Sequence, residues 1–220
     1  DQAEEDVRAI ITDVAAGSPE SDPDARKIAD LYNSFMATDR VEAAGLAPVQ
    51  PLVDAVAGLR DIRDVAAFLG EFERIGGSGL FGSYVDTDDR QSDRYIVNVL
   101  QGGTGLPDES YYREDKYSEI REKYLAYLTR MFELVEHADP AGTAQRVLDL
   151  ETRLAKGHWE RAETRDVIKT YNLVSYADLK AMVPSFDFDA FVTNLGGGPE
   201  TLAETVVRQP SYLEHLETVL

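Results

Sequence analysis

The chain has 220 residues, 43% of them hydrophobic, which suffices for a sizeable core in one or two domains. With 41 acidic against 22 basic side chains and a net charge of −19, it repels phosphate, so nucleic acid is excluded as a ligand and cationic partners are favoured. It has no cysteine, which excludes disulfides, thiolate zinc sites and cysteine nucleophiles. No apolar run approaches the roughly 20 residues that span a bilayer, and no leader pattern opens the chain.

The first residues already lie in a helical pattern, with Val7, Ile10, Ile11 and Val14 at threes and fours. Asp22-Pro23 caps a second helix whose apolar stripe is Ile28, Leu31, Tyr32 and Phe35. A short helix follows over 47–56, stopped at Gly58. Another starts at Asp61, buries Ile62, Val65, Ala66, Leu69 and Phe72, and stops at Gly76-Gly77.

The periodicity then changes. Residues 80–85 are aromatic and β-prone, and 94–100 set Tyr95, Val97 and Val99 against Arg94, Ile96 and Asn98, which predicts a β-hairpin over about residues 80–100. Its connection, 86–93, is rich in the short polar side chains that satisfy their own backbone in turns. Gly102-Gly103-Thr104-Gly105 ends the second strand, and Asp108 or Ser110 starts the next helix.

Helical spacing resumes over 115–136 through Ile120, Tyr124, Leu128, Met131 and Val135. Asp139-Pro140 starts an antiparallel partner with the face Ala144, Val147, Leu148, Leu150, Leu154 and Ala155. Ser175 with Asp178 reads as a capping box for 176–182, 187–195 forms one more helix, 205–208 a short strand, and Pro210 the last helix. The fold class is mainly α: one multi-helix domain over 1–220 with an inserted β-hairpin. Gly76 to Gly79 and Gly196 to Gly198 are the candidate hinges.

The stretch from Gly79 to Tyr112, GLFGSYVDTDDRQSDRYIVNVLQGGTGLPDESYY, resembles the amino-terminal region of neprilysin-like zinc metallopeptidases (peptidase family M thirteen). There a TDD turn, a hydrophobic strand and a GLP-x-x-x-YY loop follow one another. Residues 25–32 upstream, and Arg165-Asp166 with Tyr171-Asn172 downstream, extend the likeness over essentially the whole chain. The resemblance implies the helical, substrate-gating lobe of a two-lobed metalloendopeptidase that hydrolyses peptides, with zinc bound by a carboxy-terminal catalytic lobe outside this chain. Both ends read as cut, as expected of a fragment. The absence of cysteine suits a bacterial member, cytoplasmic or secreted.

The residues themselves supply no catalytic centre. Zinc peptidases of this kind need His-Glu-x-x-His on one helix, whereas His137, His158 and His215 are isolated from one another. The family's downstream Glu ligand and Asn-Ala-x-Tyr substrate strand have no counterpart here. Its substrate-carboxylate arginine is expected upstream of Asp1 and is not Arg8. Asp86-Thr87-Asp88-Asp89 invites calcium, but EF-hand spacing would put Gln91 where glycine is needed and Val97 where glutamate is needed. His158-Trp159-Glu160 lacks the cysteines of a zinc deaminase, and the Gly102 to Gly105 loop lacks the lysine of a phosphate loop.

Tyr111, Tyr112, Tyr117, Tyr124 and Tyr127 are read as packing residues before a peptide-facing wall, and Arg165-Asp166 as an ion pair before Tyr171-Asn172. No residue is therefore assigned a catalytic, metal or substrate role. The fragment alone is expected to be inactive. The alternative from another class is a non-enzymatic acidic helical module that binds cationic peptides or a protein partner.

Overall fold

The computed structural model describes residues 1–17 and 22–220, which divide into two compact units, Asp1–Asp54 and Ala55–Leu220. In the first, α1 (Gln2–Gly17) packs against α2 (Pro23–Met36), and α3 (Thr38–Ala44) follows. Asp22 caps α2 as the sequence indicates, its side chain accepting from the N–H groups of Asp24 and Ala25. The expected stripe of α2 is not buried, however, because these two helices supply too little surface to cover it. Leu31 and Phe35 stand exposed, and Ala29 alone in α2 is buried. The helix α3 has no side-chain cap and went unmarked in the sequence, and α4 (Gln50–Ala57) begins later than the expected 47.

The second unit is organised around α5 (Ile62–Arg74) and the hairpin β1 (Phe81–Asp88) and β2 (Gln91–Gln101). The strands run antiparallel, with a shift of register between Thr87 and Asp88. Two short strands extend the hairpin into a sheet of order β1-β2-β4-β3. In it β4 (Glu204–Val207) lies parallel to β2, and β3 (Leu173–Ser175) lies antiparallel to β4. The strand β3 leaves no signal in the sequence, since three residues are too few for alternation to register.

Between β2 and β3 come α6 (Ser110–Arg113), a 3-10 turn over Asp115–Tyr117, α7 (Ser118–Leu134) and α8 (Pro140–Ala155), and α7 packs against α8. The single helix expected over 115–136 is thus broken at its start by the 3-10 turn. It ends early, with Glu136 at a positive φ of 54°. Asp139 caps α8 at Gly142 N–H. The Ser175–Asp178 capping box opens α9 (Tyr176–Met182), Asp187 caps α10 (Phe188–Leu195), and α11 (Pro210–Val219) closes the chain. The described residues are therefore mainly α with a small sheet.

The main core joins Phe81 and Val99 of the hairpin to Phe186, Phe188 and Phe191 around α10, Leu179 of α9, and Tyr212, Leu213 and Leu216 of α11. The Phe81 ring packs 5.3–5.8 Å from each of the other three phenylalanine rings. The helices α5 and α10 cross so closely that a Cβ at Gly70 would lie 2.1 Å from the carbonyl oxygen of Phe191. The expected two-faced pattern of β2 is altered by this packing. Val97 and Val99 meet the main core, Ile96 and Asn98 are buried on the opposite face, and Tyr95 lies beyond the helices, 79% exposed.

Candidate functional site

The TDD turn is a structural knot. Asp88, almost fully buried, accepts from Arg90 N–H at 2.9 Å and Tyr171 O–H at 2.8 Å on one oxygen, and from the Arg94 guanidinium at 2.8 Å on the other. The Arg90 N–H donor, then Tyr171 and Arg94, hold its carboxyl below the usual range despite burial. Arg94 continues to Glu204 at 2.6 Å, and Arg208 joins Asp89 at 3.2 Å to Asn98 at 2.9 Å. Arginines thus supply the counter-charge to Asp88 and Asp89. Asp166 spends its carboxylate on the N–H groups of Ile168 and Lys169, and among the described residues no ion pair joins Arg165 to Asp166, contrary to expectation.

The loop after β2 is held from three sides. The Gln101 side chain donates to Trp159 O at 3.1 Å and accepts from Trp159 N–H at 2.8 Å, while Gln101 N–H donates to Gln209 at 3.0 Å. Gly102 O receives His158 Nε2 and Tyr212 O–H, each at 2.9 Å. Gly103 has a φ of 80°, a backbone state that side chains disfavour, and a Cβ at Gly105 would meet the Tyr124 hydroxyl at 2.1 Å.

Beyond it, the buried Tyr112 hydroxyl accepts from Leu106 N–H at 2.9 Å and donates to Glu151 at 2.7 Å, and Tyr124 donates to the other Glu151 oxygen at 2.9 Å. Burial, reinforced by Glu151, pushes both tyrosines well above their ordinary range, so they stay protonated donors. Arg121 donates to the carbonyls of Tyr111 and Glu114 at 2.7 and 2.9 Å, and the Tyr111 and Tyr117 rings stack at 4.1 Å. The tyrosine group is therefore largely packing, although Tyr127 remains exposed.

Two clefts flank this loop and share His158. One, of about 570 Å³, is lined by Gln101, Thr104, Leu106, Trp159 and Arg161, and the other, of about 340 Å³, by Glu109, Tyr112, Arg113 and Lys156. Burial holds His158 below its ordinary value, and its Nε2, facing a carbonyl, carries the proton. The polar groups lining the clefts are largely engaged within the protein: the Gln101 amide with Trp159, the Tyr112 hydroxyl with Leu106 and Glu151, and the Trp159 indole N–H with Ser211.

The histidines do not form a zinc centre. His137 accepts from Asp139 N–H, His158 holds Gly102 O, and His215 lies 2.7 Å from Arg153 O. No group of three His, Cys, Asp or Glu side chains among the described residues could hold a metal ion. No described helix is long and apolar enough to cross a membrane.

Glu151 is the residue that sequence reasoning missed, and a signal existed. It occupies the inward position between Leu148 and Leu154, whereas Leu150, assigned to that face, is exposed. A carboxylate on an apolar stripe demands donors.

The family model described as Peptidase family M13 matches residues 1–220. Endothelin-converting enzyme 1 of Cavia porcellus is 26% identical over 97% of this chain and 30% of its own. An endothelin-converting enzyme homolog of Locusta migratoria is 29% identical over 67% of this chain and 21% of its own. Among solved structures, the Mycobacterium tuberculosis zinc metalloprotease Zmp1 bound to an inhibitor superposes with a TM-score of 0.91 and 40% identity, over 100% of this chain and 34% of that one. PepO of Lactobacillus rhamnosis, at 16% identity and TM-score 0.78 over 99% of this chain and 35% of that one, shares the fold. The chain thus spans about a third of the relatives it matches.

Proposed function

As the chain belongs to peptidase family M13, as its amino-terminal region and along its whole length, we propose that it serves as the non-catalytic, substrate-gating lobe of a zinc metalloendopeptidase. In this reading residues 1–220 form part of one helical lid. The zinc, the general base and the carboxy-terminal catalytic lobe lie in the remainder of the full-length protein, and this chain alone hydrolyses nothing.

The observation that carries the proposal is the contrast between a family match over all 220 residues and three histidines each committed to a separate backbone contact. No group of side chains among the described residues fits a zinc ion, so no catalytic step is assigned to them. Their role is to bound a chamber, limit what enters by size, and keep bulk water from the reacting groups.

Peptide hydrolysis by the full-length protein tests this. Chelator-sensitive cleavage of short peptides, with zinc bound at one equivalent and folded proteins spared, is the expected result. Binding of cationic peptides without any cleavage would instead establish an acidic binding module, the reading that the net charge of −19 favours.

A further inference from the structure

The Gly102 to Gly105 loop has no lysine of its own, and the fold brings Arg161 to it from beyond α8. Both line the cleft of about 570 Å³, every wall of which belongs to the second unit. Most polar groups of this cleft are already engaged. Asp108 accepts from Ser110 N–H at 3.0 Å, His158 faces Gly102 O, the Trp159 indole donates to Ser211, and the Thr164 hydroxyl donates to Arg161 O at 3.0 Å. What is left over is all of one kind. The N–H groups of Thr104 and Gly105, the Thr104 hydroxyl and the Arg161 guanidinium find no acceptor among the described residues. Backbone N–H groups are obligatory donors, so these turn to water or to a ligand.

We propose that this cleft binds a carboxylate, with Arg161 as its ion-pair partner, Thr104 and Gly105 as its hydrogen-bond donors, and Leu106, Pro107 and Trp159 as the apolar wall beside it. A guanidinium presents a planar fork of donors that matches the two oxygens of a carboxylate. The loop is set before any ligand arrives. Gly102 O is fixed by His158 and Tyr212, and Leu106 N–H by Tyr112, on either side of the two free backbone donors, so little ordering entropy opposes binding. Charge then selects among oxyanions. Asp108 shares the cleft and the chain carries −19, so a phosphate with its second charge is repelled where a monoanion is tolerated. The carboxylate has two sources, a peptide terminus or an acidic side chain, and its chemistry at Arg161 is the same for both. The inference uses residues of the second unit alone and does not rest on the peptidase reading.

Calorimetric titration of the full-length protein tests this with four probes: N-acetylphenylalanine, its amide, the α-amide of N-acetylglutamic acid, and inorganic phosphate. Each is titrated into the parent, Arg161→Gln and Arg161→Lys. The terminal acid should bind at least about tenfold more tightly than the amide, Arg161→Gln should erase that difference, and Arg161→Lys should keep part of it. Thermal unfolding should be unmoved by either substitution, since Arg161 is exposed and pairs with no described carboxylate. Tighter binding of the glutamate probe than of the terminal acid, again lost in Arg161→Gln, would support the site and assign its carboxylate to an acidic side chain. Equal affinity for acid and amide, acid binding undiminished in Arg161→Gln, or tighter binding of phosphate would each overturn the proposal. The readout is heat of binding, so loss of the peptidase reading would appear separately in the cleavage assay.

Discussion

Tyr112→Phe removes one oxygen from the centre of the knot that fixes the loop over residues 105–112. The ring keeps its packing against Leu106 and Ala155, and only the polar contacts change. Leu106 N–H loses the acceptor at 2.9 Å, and Glu151 loses the donor at 2.7 Å but keeps Tyr124 at 2.9 Å. An orphaned buried N–H costs about 1–3 kcal/mol, and a hydrogen bond to a carboxylate contributes about 1.5–3 kcal/mol. Because Glu151 retains one donor and a cleft beside Tyr112 admits water, the lower ends apply, giving about 2–3 kcal/mol. For a protein of this size that lowers Tm by roughly 5–10 °C. The comparator is Tyr127→Phe, whose side chain is 57% exposed and which should stay within about 0.5 kcal/mol of the parent. Thermal unfolding of both variants, with hydrogen exchange at residues 102–112, reads the difference. Equal Tm values for the two would refute the assignment of Tyr112 as the pin of the loop.

Gly70→Ala should destabilise by about 1–2 kcal/mol despite the better helix propensity of alanine, because the clash is with backbone of α10. Gly17→Ala, with no atom within 4 Å of the added carbon, should be neutral or stabilising in the same melt. His158, held below its ordinary 6.5 by burial, binds fewer protons folded than unfolded; its contribution is complete above that value and declines as pH falls beneath it. His158→Gln should therefore flatten the stability profile between about pH 7 and 5, and an unchanged slope would contradict the burial argument. If the acidic surface faces the chamber, the full-length enzyme should show higher kcat/KM for basic than for acidic peptides, with the gap closing as salt rises. Equal values at low salt would exclude that steering.

The elements legible in the sequence were those whose signals are local. Asp22, Asp61, Asp139, Ser175 and Asp187 cap helices because a short side-chain acceptor meets the free N–H groups of the first turn, and that chemistry needs no partner from elsewhere in the chain. The sheet was legible only as far as its hairpin, since the pairing of residues 97–99 with 205–207 spans more than a hundred positions and leaves no periodic trace in either segment.

The site followed the same division. The TDD turn and the GLP loop stand out as words, but what each does is decided by Arg94, Arg208, Glu151 and Gln209, which arrive from distant elements. An aspartate cluster read alone suggests a cation site. Where arginines supply the counter-charge, as at Asp88 and Asp89, the carboxylates act as struts of the fold. The apolar stripe of α2 carries the converse lesson. Its spacing correctly marks a face that must be covered, while the cover is not furnished by α1. Periodicity therefore reports the demand for a partner, and only the fold shows whether that partner lies within the described chain.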